Sequence, residues 1–258
     1  MVKFMKRKIS KSSIILITLT LALLTGLFFE QSIINYPQNP LLEEILEEET
    51  APPPPKCAGY WDNFTFIHID GNWSNWEGKP WLKGDGSWHN PYTLENFTID
   101  NTGAPISSGI LIENSLNDYF VIRNCTIFDA TNGIKLENAC NGTLVNNNCS
   151  GNSNYGIIAV NNCKNNTLVN NSATNNLFMG IGFLTNCDNN KIIGNNISDN
   201  SMYGIRLHSD CDHNIISNNM VAETPSGNTQ EEHIVIYVDS DDNNITDNII
   251  KNGDFGIE

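Results

Sequence analysis

A chain of 258 residues with 29 acidic and 14 basic side chains carries a net charge of −15, which excludes a nucleic-acid-binding protein that works through a basic surface. The acidic surplus also disfavours anionic lipid head groups, and it disfavours acidic polysaccharides unless Ca²⁺ bridges them. The length permits one or two domains.

Residues 1–29 have the pattern of an export signal. Five basic residues and no acidic one precede Ile14–Phe29, a run of 16 uncharged and mostly apolar residues. A helix of this run would extend about 24 Å, against a hydrocarbon core of ~30 Å. The pattern fits a cleaved signal peptide and a retained signal-anchor helix equally. Either one predicts an extracellular or cell-surface protein, secreted or attached to the membrane through this helix.

Residues 30–56 are predicted to be a tether. The acidic segment Leu41–Glu49 is followed by four consecutive prolines, Pro52–Pro55, which form a stiff spacer. Without residues 1–29, the net charge of the chain becomes −20. We expect this segment to hold the remainder at a distance from the membrane.

Residues 57–108 differ in composition, because they contain all five tryptophans. Phe64–Asp70 is predicted to be a strand, and Tyr92–Asp100 the first coil of the repeats that follow. A solenoid needs an atypical terminal unit that covers its open end, so we predict an aromatic N-terminal cap here. The alternative is a tryptophan platform that stacks against sugar rings.

From Gly109 to residue 258 the chain is a repeat. The rungs begin at Gly109, Gly133, Gly156, Gly180 and Gly204, with spacings of 24, 23, 24 and 24 residues. His233 takes the place of the glycine in a longer rung, and Gly256 begins another, so we expect further coils or a partner to complete the solenoid.

Each rung contains two short alternating apolar runs separated by Asn, Asp, Gly and Ser, which favour tight turns. This pattern predicts an all-β solenoid of stacked coils, a parallel β-helix, rather than a leucine-rich repeat. Stacking predicts three columns of equivalent residues: inward isoleucines at Ile134, Ile157, Ile181 and Ile205; asparagines at Asn146, Asn170, Asn195 and Asn218; and cysteines at Cys140, Cys163, Cys187 and Cys211. We expect the cysteines to be buried free thiols rather than disulfides.

The Gly-Ile-x-Leu rung start and the Asn-Asn-x-Ile turn segment resemble the right-handed parallel β-helix repeats of the pectate-lyase-like superfamily, and within it the NosD-like repeats of carbohydrate-binding and sugar-hydrolase type. The segment Trp81–Asn96 resembles the lead-in of archaeal cell-surface proteins of this kind. The resemblance implies a single-stranded solenoid with coils of 23–24 residues. It leaves function open, because the fold hosts lyases, hydrolases, epimerases, adhesins and inert stalks.

The first strand of each rung is predicted to present one long outward face, and related enzymes place their substrate groove there. The predicted ligand-binding positions on this face are Lys135, Ile158, Val160, Leu184, His208 and Tyr237. Glu113 and Glu137 occupy equivalent positions on neighbouring rungs, at the carboxylate separation of about 5 Å that retaining glycosidases use. Any two adjacent rungs impose that separation, so Glu113, Glu137 and Arg206 are only weak catalytic candidates.

Two further kinds of site are weaker hypotheses. Acidic turns could hold a structural Ca²⁺ ion through Asp210, Asp212, Asp239 and Asp241, although solvated acidic turns are the preferred explanation. Transition-metal binding, which the NosD-like resemblance suggests, is disfavoured because His208 is predicted to point outward and Cys211 inward.

N-x-S/T sequons predict glycosylation, with candidates at Asn63, Asn72, Asn96 and Asn141.

The sequence therefore predicts an exported cell-surface β-helix module with a structural, adhesive or glycan-binding role, with no confident cofactor and with glycans or other surface proteins as partners. A polysaccharide lyase or glycoside hydrolase acting along the outward face is the alternative. A NosD-like accessory metal-related protein is the third.

Overall fold

The computed structural model describes residues 61–103, 108–224, 230–252 and 255–258. The predicted export signal and tether, residues 1–56, lie outside the described residues. Among the residues that the structure describes, no helix is long and apolar enough to cross a membrane.

Eight parallel strands, one from each coil, form the sheet that we term the front sheet. They are β2 (Ile67–Asp70), β6 (Ser108–Glu113), β9 (Asn132–Glu137), β11 (Tyr155–Val160), β13 (Met179–Leu184), β16 (Tyr203–His208), β19 (Glu232–Tyr237) and β22 (Phe255–Ile257). Each rung glycine is the second residue of its strand. The predicted first run of every rung is therefore confirmed.

The second predicted run forms the back sheet, also of eight strands. They are β3 (Leu82–Lys83), β4 (Tyr92–Glu95), β7 (Phe120–Arg123), β10 (Gly142–Val145), β12 (Thr167–Val169), β14 (Lys191–Ile193), β17 (Ile215–Ser217) and β20 (Asn244–Thr246). All neighbours are parallel except β3 and β4. Stacked parallel strands on separate faces confirm the predicted β-solenoid.

A third, narrower side sheet was not predicted. One part consists of β1 (Trp61–Phe64), β5 (Phe97–Asp100) and β8 (Thr126–Phe128), and the other of β15 (Asn196–Ser198), β18 (Met220–Ala222) and β21 (Ile249–Lys251). Single bridges through Asn148 and Ser172 connect the two parts. Its segments are only three or four residues long, which is too short for a recognisable alternation in the sequence.

The inward isoleucines form the predicted column at the centre of the core. Ile134, Ile157, Ile181 and Ile205 pair in register through consecutive front strands and are at most 1 % exposed. Full burial of such a side chain contributes about 1.5–3 kcal/mol. Because the column continues from coil to coil, the core is one continuous stack.

Buried asparagines form three columns, one at each corner of the coil. They are Asn166, Asn190, Asn214 and Asn243; Asn147, Asn171, Asn195, Asn219 and Asn248; and Asn152, Asn176 and Asn200, followed by Gln230. In each column the backbone N–H of one residue donates to the side-chain oxygen of the next. The side-chain nitrogen donates to a carbonyl, as Asn171 Nδ2 does to Leu144 O at 2.9 Å.

The predicted asparagine column was wrong by one residue at three of its four positions. Asn146, Asn170 and Asn218 have φ values of 55, 52 and 57°, and each precedes the buried residue that forms the column. Only Asn195 belongs to it, because Gly194, with φ of 66°, occupies the left-handed position on that coil. Where several asparagines are consecutive, the sequence does not show which of them has a positive φ and which is buried.

The cysteine column contains three of the four predicted residues. Cys163, Cys187 and Cys211 are fully buried, but Cys140 lies beside the column rather than in it. The backbone N–H of Ala139 approaches Cys163 Sγ at 3.5 Å, so Ala139 is the residue that precedes Cys163 in the column. The coil of Cys163 has one extra residue between its front and back strands, which shifted the count from the glycine. The six described cysteines are buried and unpaired.

Residues 61–103 contain the first coil and a short 3₁₀ helix, Trp73–Trp76. Trp73 is 2 % exposed, and its ring stacks on Tyr92 with a centroid distance of 4.9 Å. Tyr92–Asp100, predicted to be the first coil, contains two strands, β4 and β5, and Asn96 between them, with φ of 62°, turns the chain from the back sheet to the side sheet.

Candidate functional site: the outward face of the front sheet

Two columns of outward side chains run along the front sheet, in the register that the repeat predicts. The first column contains His68, Leu111, Lys135, Ile158, Gly182, Arg206 and Val235. The second contains Asp70, Glu113, Glu137, Val160, Leu184, His208 and Tyr237. The six predicted ligand-binding positions therefore lie on one surface, which we term the front face.

The coils that contain β2, β6 and β9 give the front face a charged end. His68 Nε2 lies 2.6 Å from Glu113 Oε2, and Lys135 Nζ donates to Glu137 Oε2 at 2.6 Å. Asn161 also donates to Glu137, at 3.2 Å. The hydrogen bond from Lys135 is the main cause that lowers the pKa of Glu137 below its usual value. This carboxylate is therefore ionised at neutral pH, which suits a base or nucleophile and not a general acid.

The middle of the front face is apolar and closed. Ile158 is 1 % exposed and Met179, which immediately precedes Gly180, is fully buried. A Cβ added at Gly182 would lie 2.5 Å from Met179 Sδ and 2.7 Å from Ile158 Cδ1. Because Gly182 has no side chain, the side chains of Met179 and Ile158 fill the space above it.

The coils that contain β16 and β19 form an aromatic end. The guanidinium carbon of Arg206 lies 4.7 Å from the Tyr203 ring centroid and 6.0 Å from that of Tyr237. His208 stacks on Tyr237 at 6.3 Å with an interplanar angle of 24°, and its Nδ1 lies 2.5 Å from Ser209 Oγ. Partial burial, and then the charge of Arg206, lower the pKa of His208. The imidazole is therefore neutral at pH 7.

A row of aromatic rings along one edge of this face was missed in the sequence. Tyr155, Phe178 and Tyr203 contact one another edge to face, with centroid distances of 5.5 and 5.6 Å. Each lies one or two residues before a rung glycine. The recurrence of Tyr, Phe-Met and Tyr directly before Gly156, Gly180 and Gly204 was the available signal.

The structure places the three weak catalytic candidates at opposite ends of the face. Glu113 and Glu137 are neighbours in register at the charged end. Arg206 lies at the aromatic end, three strands from Glu137. The face therefore does not bring an arginine and a carboxylate pair together in one catalytic group.

The four acidic residues predicted to bind calcium lie on stacked turns. Asp212 Oδ1 accepts the backbone N–H of Asp241 at 2.7 Å, which is the same ladder geometry as in the asparagine columns. Asp210 and Asp239 are exposed. In the part of the chain that the structure describes, no group of three or more His, Cys, Asp or Glu side chains is arranged to hold a metal ion. Calcium binding at these four residues stays a prediction.

Three of the four glycosylation candidates can be placed, since the Asn63 side chain lies outside the described residues. Asn72 Oδ1 accepts the backbone N–H of Asp70 at 3.1 Å, and Asn141 Nδ2 donates weakly to Leu116 O at 3.3 Å. Asn96 occupies the left-handed turn between β4 and β5. All three are at least partly exposed, and their modification stays a prediction.

Residues 108–258 match the family described as right handed beta helix region. A search of proteins with curated functions finds no significant match. Among solved structures, the A-module of the mannuronan C-5 epimerase AlgE4 of Azotobacter vinelandii is similar, with 15 % identity, a TM-score of 0.54 and coverage of 64 % of this chain and 49 % of that one. A mutant of the periplasmic alginate epimerase AlgG is similar with 17 % identity, a TM-score of 0.46 and coverage of 54 % and 38 %. The chain spans less than half the length of either structure.

Proposed function

Because the chain belongs to the right-handed β-helix family, we propose that it is a non-catalytic cell-surface module that binds a glycan along its front face. The observation that carries this proposal is a group of rings: the row Tyr155, Phe178 and Tyr203 along one edge of the face, and the pair His208 and Tyr237 at the aromatic end. The similarity to the mannuronan C-5 epimerase module concerns the fold. The name of that protein shows that a protein with this fold acts on a polysaccharide, which supports a glycan as the ligand.

Aromatic rings are suited to sugars because a pyranose has an apolar face that packs flat against them, while its hydroxyl groups reach polar side chains at the edge. Tyr237 is 50 % exposed and offers such a ring. From β11 to β19 the face extends over three strand spacings, or about 14 Å, so a short chain of sugars fits along it. In the middle of the face, the side chains of Ile158 and Met179 are buried, so neither projects into the path of a bound chain.

Export supports access of this face to extracellular glycans, and we infer it from the basic and apolar pattern of residues 1–29. We also infer that residues 61–103 act as the N-terminal cap. Trp73 contacts Tyr92 and Phe120, and Trp81 packs edge to face against Phe97, so these rings cover the first coil of the core.

The second candidate is a polysaccharide-active enzyme, which the charged end favours. Glu113 and Glu137 are adjacent carboxylates, flanked by His68 and Lys135, and Glu137 is held ionised. A retaining glycosidase needs such a pair, one member as nucleophile and the other as acid. In this mechanism Glu137 would be the nucleophile and Glu113 the acid.

A glycan-array screen of the full chain, with and without Ca²⁺ and with assays for product release on every hit, tests both candidates. We expect binding without turnover, and we expect Tyr237→Ala to weaken it about tenfold or more. Phe66→Ala is the matched control, because Phe66 is also 50 % exposed but lies outside the two columns.

Three results would decide against the binding module. Binding that responds equally to both substitutions would place the site elsewhere, and no binding to any glycan would remove the proposal. Product release that Glu137→Gln lowers by about 10²–10⁴-fold, with binding unchanged, would establish the enzyme instead.

A further inference from the structure

We infer that the glycan carries an acidic group, a carboxylate or a sulfate, and that Arg206 is its receptor; this inference rests on the proposed glycan-binding function. Arg206 lies on the outward side of β16 and makes no hydrogen bond or ion pair with any described residue, apart from its contacts with the rings of Tyr203 and Tyr237. In an acidic chain an unpaired, partly buried guanidinium needs an explanation.

Other cations of the described region show what is unusual about Arg206. Lys83, Arg123, Lys135 and Lys164 each pair with a carboxylate of the chain. Lys79 and Lys251 form no ion pair with a described residue, but both are exposed, whereas Arg206 is partly buried. An acidic side chain is available to Arg206 as well, because Glu232 lies beside Tyr203 in the neighbouring strand. The two charges nevertheless form no salt bridge. Burial raises the pKa of Glu232 and the charge of Arg206 lowers it, so the two groups interact without direct contact. The guanidinium lies against the tyrosine rings and makes no hydrogen bond to a described residue.

This arrangement prepares the guanidinium for an anion. Its Nε is buried without a hydrogen-bond partner, and its guanidinium carbon lies over the Tyr203 ring, which restricts where the remaining N–H groups lie. A planar fork of N–H donors binds a carboxylate or a sulfate through two parallel hydrogen bonds. The exposed Tyr237 ring, 6.0 Å away, lies where the sugar bearing that group would stack.

The net charge of −15 opposes an acidic ligand, as the sequence predicts, but this opposition has a short range. At physiological ionic strength, interactions between exposed charges are largely screened beyond about 8 Å. A direct charge-assisted contact is screened much less. We therefore expect the local contact to prevail over the general repulsion without any bridging Ca²⁺.

The test measures dissociation constants of the full chain for three oligosaccharides of equal length at 0.15 M salt, with a chelator present. They are a 1,4-linked uronate oligomer, the same oligomer with its carboxyl groups reduced to hydroxymethyl groups, and a sulfated form of the reduced oligomer. Arg206→Gln removes the charge, and Arg206→Lys keeps the charge but removes the planar fork. Lys164→Gln is the control, because Lys164 is a lysine paired with a carboxylate, Asp188, and lies outside the two outward columns.

We expect the wild-type chain to bind an acidic oligomer about tenfold or more tightly than the reduced one, and Arg206→Gln to abolish that preference while leaving the affinity for the reduced oligomer unchanged. Arg206→Lys should retain part of the preference, and Lys164→Gln all of it. Tighter binding of the uronate identifies a carboxylate ligand, and tighter binding of the sulfated oligomer identifies a sulfate.

Equal binding of acidic and reduced oligomers overturns this inference and leaves the glycan-binding function intact. An equal loss for all oligomers in Arg206→Gln, with an unchanged melting temperature, also overturns it, because Arg206 would then support the face without reading charge. Absence of binding to every oligomer overturns this inference, and the glycan array then decides separately whether the chain binds another glycan.

Discussion

Inside the solenoid, one residue type recurs on coil after coil, whereas on the front face neither outward column keeps a residue type for more than two coils. The inward column that includes Ile134 and Ile157 is isoleucine throughout the described coils, from Ile67 to Ile257. The first outward column has seven different residues on seven coils. Stacking demands identity where side chains must fill the same space or form a ladder, and it demands nothing of a side chain that points into solvent. The inward positions, where one residue type recurs, are therefore explained by the fold, and the outward positions, where residue types vary, are the ones that we relate to function.

The largest effect should come from breaking an asparagine column in its middle. Asn171→Ala removes the donor to Leu144 O and the acceptor of the Asn147 N–H, and leaves both groups buried without a partner. We expect the free energy of unfolding to fall by about 2–4 kcal/mol. Asn170→Gly is the matched control, because it reproduces Gly194 of the next coil at a left-handed position, and it should change stability by less than about 1 kcal/mol. Urea unfolding followed by circular dichroism measures both, and equal effects would refute the distinction between the two asparagines.

A smaller effect on stability is expected at His233, where a polar side chain replaces the glycine of the repeat. His233 is fully buried at the glycine position, and its ring nitrogens lie 2.9 Å from Phe255 O and 3.0 Å from Lys251 O. His233→Gly restores the rung consensus but deletes these contacts, so we expect a loss of about 1–3 kcal/mol.

Hydrogen exchange should show that this loss is local, with faster exchange in β21 and β22 and little change in β9 to β13. Ile249→Ala is the control, because its side chain is 52 % exposed and contributes little. A variant as stable as the wild type would mean that a glycine satisfies the position and that the imidazole adds nothing.

An acid-dependent effect is expected on the back sheet. Burial alone would raise the pKa of Glu95, but hydrogen bonds from Lys83 and Arg123 outweigh it and hold the pKa below its usual value of 4.5. A carboxylate with a lowered pKa in the folded state contributes stability above its unfolded pKa, and this stability is lost as the pH falls through the folded value. Because Lys83 and Arg123 are largely exposed, we expect about 1 kcal/mol or less.

Glu95→Gln should therefore be less stable than the wild type at pH 7 and equal to it once the pH is well below 4.5. Denaturant unfolding at a series of pH values measures this convergence. A constant difference at every pH would show that packing, and not charge, explains the effect of the substitution.

The smallest effect on stability should come from the front face itself. Tyr237→Ala removes a ring that is half exposed, so we expect the melting temperature to change by no more than about 2 °C. The same substitution should weaken glycan binding. A large loss of stability would make Tyr237 part of the core and would contradict the separation between inward and outward positions.

The sequence alone predicted most of the fold, because stacking repeats one physical requirement at a fixed interval. The period, the front and back strands, the inward isoleucines and the register of the front face all follow from the glycine spacing. The side sheet could not be found this way, because its segments are too short for a periodic signal. The asparagine and cysteine columns were placed with errors of one residue, because an extra residue or a left-handed turn does not show in a count from the glycine.

The site was predictable only as a surface. The sequence by itself determined which residues point outward, since side chains alternate along a strand and coils repeat. Only the tertiary structure decided which of them meet: that Arg206 lies on Tyr203 instead of pairing with Glu232, that Lys135 pairs with Glu137, and that Met179 fills the space above Gly182. These contacts depend on side-chain rotamers and on burial, and the repeat encodes neither of them.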